Sequence, residues 1–212
     1  MGTLEALSLA MGTAWTSGIN LYATVAALGI AGRLQMIQLP VNLQILTDPI
    51  VITIACLMYV VEFFADKVPY VDSGWDVVHT FIRIPAGAIL AARSLGDMNP
   101  ALELAALLAG GSVALAAHGT KAAARLAINV SPEPFSNWTA SITEDLAVLG
   151  SIWMIFHHPV FMLVLIIAFL AVAVWLTPKL FRLGKRGFQT LRGRLRGVKP
   201  DEAALKQTHQ LS

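Results

Sequence analysis

The stretch from Val160 to Thr177, VFMLVLIIAFLAVAVWLT, contains no charged residue. A helix that crosses hydrocarbon needs about 20 mainly apolar residues, because no water is there to solvate anything else. This stretch meets the requirement. Pro159 stands at its start, where a missing backbone N–H costs little, and Trp175 is placed to anchor its far end at the water interface. Asp48 to Asp66, DPIVITIACLMYVVEFFAD, meets it as well, opening on a proline-marked turn and becoming polar only at its end. Composition extends the point to the whole surface. Only 13% of residues are charged and 56% are hydrophobic, with a mean hydropathy of +0.67. A water-wetted domain carries about 25% charged residues. Most of the outer surface of this chain therefore faces lipid.

Four further segments read as spans with polar interruptions: Leu4 to Gly32, Val77 to Leu95, Ala101 to Ile128, and Ala140 to Phe156. The expectation is an all-α, polytopic transmembrane bundle of about six spans, or five if the first segment is re-entrant or the fifth incomplete. The transmembrane domain covers 1–178 and a basic tail covers 179–212. The first segment is long for one crossing and contains Thr16-Ser17-Gly18-Ile19-Asn20. That patch either breaks it into two half-helices or makes a close helix contact through small residues. Turn signals fall at Leu39-Pro40, Val68-Pro69, Asn99-Pro100, Ser131-Pro132-Glu133-Pro134 and His158-Pro159. Cys56 is the single cysteine and reads as a small hydrophobe, which rules out an internal disulfide framework. The first residues lack the positive n-region of a cleavable signal.

Orientation follows from the basic residues. Eight of the fifteen Lys and Arg residues lie between Lys179 and Lys199. Positive segments stay cytoplasmic, which puts the tail inside a bacterial inner membrane, beside anionic lipid headgroups. Six spans then put the N-terminus inside too. The Arg- and Gly-rich LRGRLRG of the tail admits a nucleic-acid reading, but a juxtamembrane basic segment is far more often an orientation signal, so no nucleic-acid partner is expected. His157 and His158 fall at the outer interface. The tripeptides Asn129-Val130-Ser131 and Asn137-Trp138-Thr139 fit the glycosylation pattern, yet they fall on the cytoplasmic side and carry no reading.

The remaining charges gather at the same inner half. Glu62 and Asp66 close the second span one turn apart. Asp76, His79 and Arg83 share a helix face at the start of the third, and His118, Lys121 and Arg125 repeat that spacing at the end of the fourth. Glu144 and Asp145 open the fifth. The match of DVVHTFIR to HGTKAAAR, flanked by acidic pairs in mirror order, is what an inverted repeat would produce. Ionised groups in a span cost about 2.5–3.5 kcal/mol each on insertion scales, so they must pair or line a wet cavity. Glu62, Asp66, Asp72, Asp76, Glu133, Glu144 and Asp145 outnumber Lys67, Arg83, Lys121 and Arg125 by seven to four. Structural ion pairs alone would need only two or three residues, and the acid excess favours a binding site. Glu62, Asp66, Asp72, Asp76 and His79 could supply metal ligands, but their spacing matches no metal motif, and no cofactor is expected.

The strings SGINLYATVAALGIAGR, EFFADKVPYVDSGWDVVHTFIR and HGTKAAARLAINVSPEPFSNWTAS resemble a family of bacterial multi-pass membrane proteins classed as a domain of unknown function. The resemblance runs to about Pro178 and implies an all-helical membrane fold. It supplies no substrate and no catalytic residue. The residues themselves suggest a small transporter or channel for an ion or small charged solute. Its binding site would comprise Asn20, Glu62, Asp66, Asp76, His79, Arg83, His118, Lys121, Arg125, Glu144 and Asp145. One alternative is a membrane-embedded enzyme on a lipid-linked phosphate, held by Arg83, Lys121 and Arg125, although no nucleophile or metal motif is present. Another is a non-catalytic assembly partner. A chain of this size often needs a second copy to build a pathway, so a homo-oligomer is expected.

Overall fold

The computed structural model describes residues 2–68, 71–129 and 134–176. The chain divides into two compact units, Met1–Leu170 and Ala171–Ser212, and every residue expected at the binding site belongs to the first. Of the second, residues 171–176 are the last turns of the final helix. The basic tail, Glu133 and Pro69 lie outside the described residues.

Helix α1 (Thr3–Ile19) and helix α2 (Leu21–Arg33) are separated by one residue, Asn20. Its backbone is extended, its N–H closes α1 on the Thr16 carbonyl at 2.9 Å, and its side-chain oxygen caps α2 by accepting from the Ala23 N–H at 2.9 Å. Of the two readings of the Thr16–Asn20 patch, the structure realises both. The helix breaks at Asn20, and two residues earlier Gly18 is pressed against α5 (Pro100–Asn129), where a methyl group would meet the Ala114 carbonyl oxygen at 2.5 Å. The hydroxyls of this patch stay inside their own helix: Thr16 donates to the Gly12 carbonyl and Ser17 to the Ala14 carbonyl. Such back-bonding lets a polar stripe be buried without unmet donors.

A 3₁₀ segment (Val41–Thr47) leads into α3 (Pro49–Ala65) through a 64° bend at Asp48, whose carboxylate caps α3 at the Ile50 N–H, 2.7 Å away. Helices α4 (Val71–Ser94) and α5 form a hairpin, with the Asn99 side chain capping α5 at the Leu102 N–H. Then come α6 (Pro134–His157) and α7 (Pro159–Leu176). Four of these helices, α3, α5, α6 and α7, begin on proline, whose fixed φ suits a first turn that needs no donor. Helix α1 is the centre of the bundle. It is buried from Ser8 to Ile19 apart from Met11 and packs on α4, α5 and α6, while α2 packs on α3.

Helices α5, α6 and α7 are each long and apolar enough to span a membrane, and the bent 3₁₀–α3 pair makes a fourth candidate. Hydropathy along the sequence leads to an expectation of about six. The difference has two physical sources. The first expected span is cut by Asn20 into pieces of 17 and 13 residues, each shorter than a crossing. Helix α4 has the length, but Asp76, His79, Arg83 and Arg93 dilute its hydropathy.

The outer surface is what lipid requires. On α3, Ile50, Ile54, Leu57, Val61 and Phe64 recur on one face and are exposed. The interior combines an apolar core, with Leu9, Leu28, Ile155 and Met162 fully buried, with buried charge: among the described residues, the two bulkiest fully buried side chains are Arg83 and Arg125.

Candidate functional site

All eleven side chains proposed from the sequence come together at one end of the bundle. Glu62 and Asp66 lie on the last turn and C-cap of α3, Asp76 and His79 on the first half of α4 with Arg83 at its midpoint, His118, Lys121 and Arg125 on the second half of α5, and Glu144 and Asp145 on the first half of α6. Asn20 joins them from the break between α1 and α2. The hairpin geometry of α4 and α5 explains the convergence, since the start of one must sit beside the end of the other.

Arg125 forms the first half of the network. Its Nε donates to Glu144 Oε1 at 3.0 Å and its Nη2 to Glu144 Oε2 at 2.7 Å, a bidentate pair. Nη2 also reaches Asp66 Oδ2 at 3.3 Å, and Nη1 donates to the carbonyls of Asp66 and Asn137, each at 3.2 Å. These five bonds match the five N–H donors a guanidinium owns, so Arg125 has none left over for a ligand. Asp72 stands 4.0 Å from Arg125 Nε.

Arg83 organises the second half, and that half is incomplete. Its Nη2 donates to Glu62 Oε1 at 2.6 Å, and its Nη1 donates to Asp76 Oδ1 at 3.0 Å and to His118 Nδ1 at 3.2 Å. A guanidinium can only donate, so His118 Nδ1 must present its lone pair and the ring proton must sit on Nε2. That Nε2 is 2.8 Å from Thr80 Oγ1 and 3.1 Å from the Asp76 carbonyl. Among the described residues, however, Arg83 Nε, Glu62 Oε2 and Asp76 Oδ2 of this half are buried and have no hydrogen-bond partner, and Asp66 Oδ1, on the carboxylate shared by Arg125 and Lys121, is in the same state. A buried polar atom without a partner loses its hydration and regains nothing for it.

Lys121 connects the halves, with Nζ 3.5 Å from Glu62, 3.3 Å from Asp66 and 3.3 Å from Glu144. Asp145 stands apart from the cations. It accepts from Asn20 Nδ2 at 3.1 Å and from the Tyr59 hydroxyl at 2.9 Å. His79 is likewise outside the ion pairs: Nδ1 is 2.8 Å from the Trp75 carbonyl, Nε2 is 3.0 Å from the Tyr22 hydroxyl, and the Trp75 ring stacks on it.

The sequence groups Lys67 with the cluster, but its side chain goes elsewhere. Its ammonium donates to the Phe63 carbonyl at 3.0 Å and lies over the Phe63 ring. Burial there lowers its pKa from the ordinary lysine value. Six acids, Glu62, Asp66, Asp72, Asp76, Glu144 and Asp145, therefore face three bases, Arg83, Lys121 and Arg125, and the excess remains three. Among the described residues, no group of three or more His, Cys, Asp or Glu side chains is arranged as a set of metal ligands, the Glu62-Asp66-Asp72-Asp76-His79 combination included.

Further contributors are absent from the expected set, among them Tyr22, Tyr59, Asp72, Thr80 and the carbonyls of Ile19, Trp75 and Asn137. The tyrosines carry a usable signal. Tyr59 lies three residues before Glu62 and Tyr22 two after Asn20, so each is a phenol at the polar end of an apolar helix. Thr80 and a main-chain carbonyl give no such signal.

A helical bundle with aliphatic side chains turned outward and a largely buried charged network inside is an integral membrane protein of the polytopic α-helical class. The chain belongs to the family described as domain of unknown function DUF4126, whose model matches residues 7–179. No curated protein and no solved structure matches it.

Proposed function

We propose that this chain is a small transporter or channel for an ion or small charged solute, and that the buried network around Arg83 and Lys121 is its binding site. The observation that carries this reading is the contrast between the two arginines. Arg125 is fully satisfied and serves as a brace. Arg83, Glu62 and Asp76 keep unmet polar atoms in a buried network with three surplus acids, which is an arrangement that struts do not need. The half-helix break at Asn20 supports the same reading, because discontinuous helices expose main-chain carbonyls at depth to coordinate ions. A lipid-phosphate enzyme is disfavoured, since each of the three bases is already claimed by carboxylates.

In this proposal the network faces the cytoplasm of a bacterial cell, the basic tail lies against anionic headgroups on that side, and a second copy completes the pathway. Purified protein in proteoliposomes tests the core of it. Solute flux that disappears in Glu62→Gln, while that variant keeps the wild-type unfolding profile, supports transport. Absence of flux across a broad panel of ions, together with turnover of a phospholipid, ends it.

A further inference from the structure

Lys121 extends from α5 into a cage of four oxygens supplied by three other helices. They are the Ile19 carbonyl at 3.2 Å, Asp66 Oδ2 at 3.3 Å, Glu144 Oε2 at 3.3 Å and Glu62 Oε1 at 3.5 Å. The Ile19 carbonyl is free because α1 stops at Asn20. Carbonyls at a helix end have no intrahelical partner and carry the negative pole of the helix dipole. An ammonium owns three N–H donors, so four oxygens already exceed what it can satisfy. The partner oxygens of the same carboxylates, Glu62 Oε2 and Asp66 Oδ1, are buried with no hydrogen-bond partner among the described residues.

This is the chemistry of a cation site, with the cation covalently attached to the protein. We infer that the cage binds an ammonium-sized monovalent cation, and that Lys121 is its tethered occupant and gate. The inference rests on reading the network as a binding site. Two considerations fix the class of ion. Around the Lys121 nitrogen the oxygens stand 3.2–3.5 Å away, a spacing set for an ammonium and wider than calcium at about 2.3–2.6 Å or zinc at about 2.0–2.2 Å takes. Charge gives the same answer. Lys121 brings one positive charge to a network whose acids already outnumber its bases, and one monovalent ion in its place restores that same charge. Anions are excluded by the same carboxylates. In the working protein, entry of the ion requires the ammonium to swing out or to release its proton. Release of the proton as the ion enters exchanges one positive charge for another and leaves the net charge of the cage unchanged.

The test is thermal unfolding of full-length Lys121→Ala in nanodiscs, titrated with ammonium, potassium, sodium, choline or magnesium chloride at constant ionic strength. The expected result is a destabilised variant in choline or magnesium that recovers saturably with ammonium or potassium, while wild type is unmoved. An equal loss in every salt overturns the inference, as does an equal gain by wild type. If Lys121→Ala does not fold in choline, folding in ammonium or potassium alone supports the site. Lys121→Met, which keeps the packing of the stem, is run beside it, and failure of both in every salt overturns the inference. Cation rescue without flux through wild type keeps the site and ends the transport reading, and flux without rescue does the reverse.

Discussion

Arg83 donates to Glu62 across 2.6 Å with both side chains fully shielded from solvent, and that bond ties α4 to the end of α3. A buried pair of this kind is worth little net compared with apolar side chains of the same size, yet breaking it from one side strands a charge at a cost of about 3–5 kcal/mol. Arg83→Met alone should therefore destabilise the bundle by about 3 kcal/mol or more in reversible detergent unfolding. Adding Glu62→Gln should return part of that loss. Simple addition of the two single effects would show that the residues are not coupled.

Arg125 and Arg83 should respond differently to lysine. Arg125→Lys exchanges five aligned donors for three and loses the bidentate grip on Glu144, so the expected effect is on stability, about 3 kcal/mol. Its folded fraction should keep most of its transport in proteoliposomes, because lysine leaves a positive charge beside Asp66 and Glu144. Arg83→Lys should retain more stability, because fewer of the donors of Arg83 are engaged, and should lose flux at least about tenfold by altering the site itself. Identical behaviour of the two variants would remove the division into brace and site.

Gly18 tests the packing of α1 against α5. Its missing side chain is filled by the Ala114 carbonyl oxygen and the Ala117 methyl, at 2.5 and 2.7 Å from where a Cβ would stand. Backbone cannot yield cheaply, so Gly18→Ala should cost about 1–3 kcal/mol. Gly150 on α6 has nothing within 4 Å of that position and serves as the control. Gly150→Ala should be neutral or stabilising by up to about 1 kcal/mol, as alanine suits a helix better. A neutral Gly18→Ala in the same unfolding assay would mean that the two helices are less tightly apposed.

Which parts of this arrangement are legible in the chain alone depends on the range of the forces involved. The break at Asn20, the cap at Asp48 and the proline starts at Pro100 and Pro159 are local, and each is set by residues within one turn of the feature. The gathering of Glu62, Asp76, Lys121 and Glu144 at one end is also legible, because alternating spans bring every second loop to the same side. Partner choice is not. Lys67 follows Asp66 directly and still goes to the Phe63 ring, while Lys121, 55 residues from Asp66, takes the carboxylate. That outcome depends on which side of α3 faces α5, a tertiary fact with no periodicity to announce it. The crossing number suffers for a related reason. Charges buried between helices lower hydropathy as much as charges facing water do, so α4 gives a weak span signal although Arg83 is sealed inside.

Asn20 allows the two roles of one side chain to be separated. Its oxygen caps α2, and its amide donates to Asp145. Serine and aspartate are as good as asparagine at an N-cap, so if capping were its whole role, both replacements would cost only a few tenths of a kcal/mol. Asn20→Ser should instead cost about 1 kcal/mol, since a hydroxyl at that position caps the helix but falls short of Asp145. Asn20→Asp should be the most damaging of the series, worse than Asn20→Ala at about 0.5–2 kcal/mol for the lost cap. It sets one carboxylate against another in a cluster that already has three surplus acids, with the Tyr59 hydroxyl as the remaining donor to Asp145. The ranking Ser, Ala, Asp in order of increasing loss, read from detergent unfolding midpoints, is the expected outcome. Asp ranking equal to Ser would show that the amide of Asn20 contributes nothing to holding Asp145.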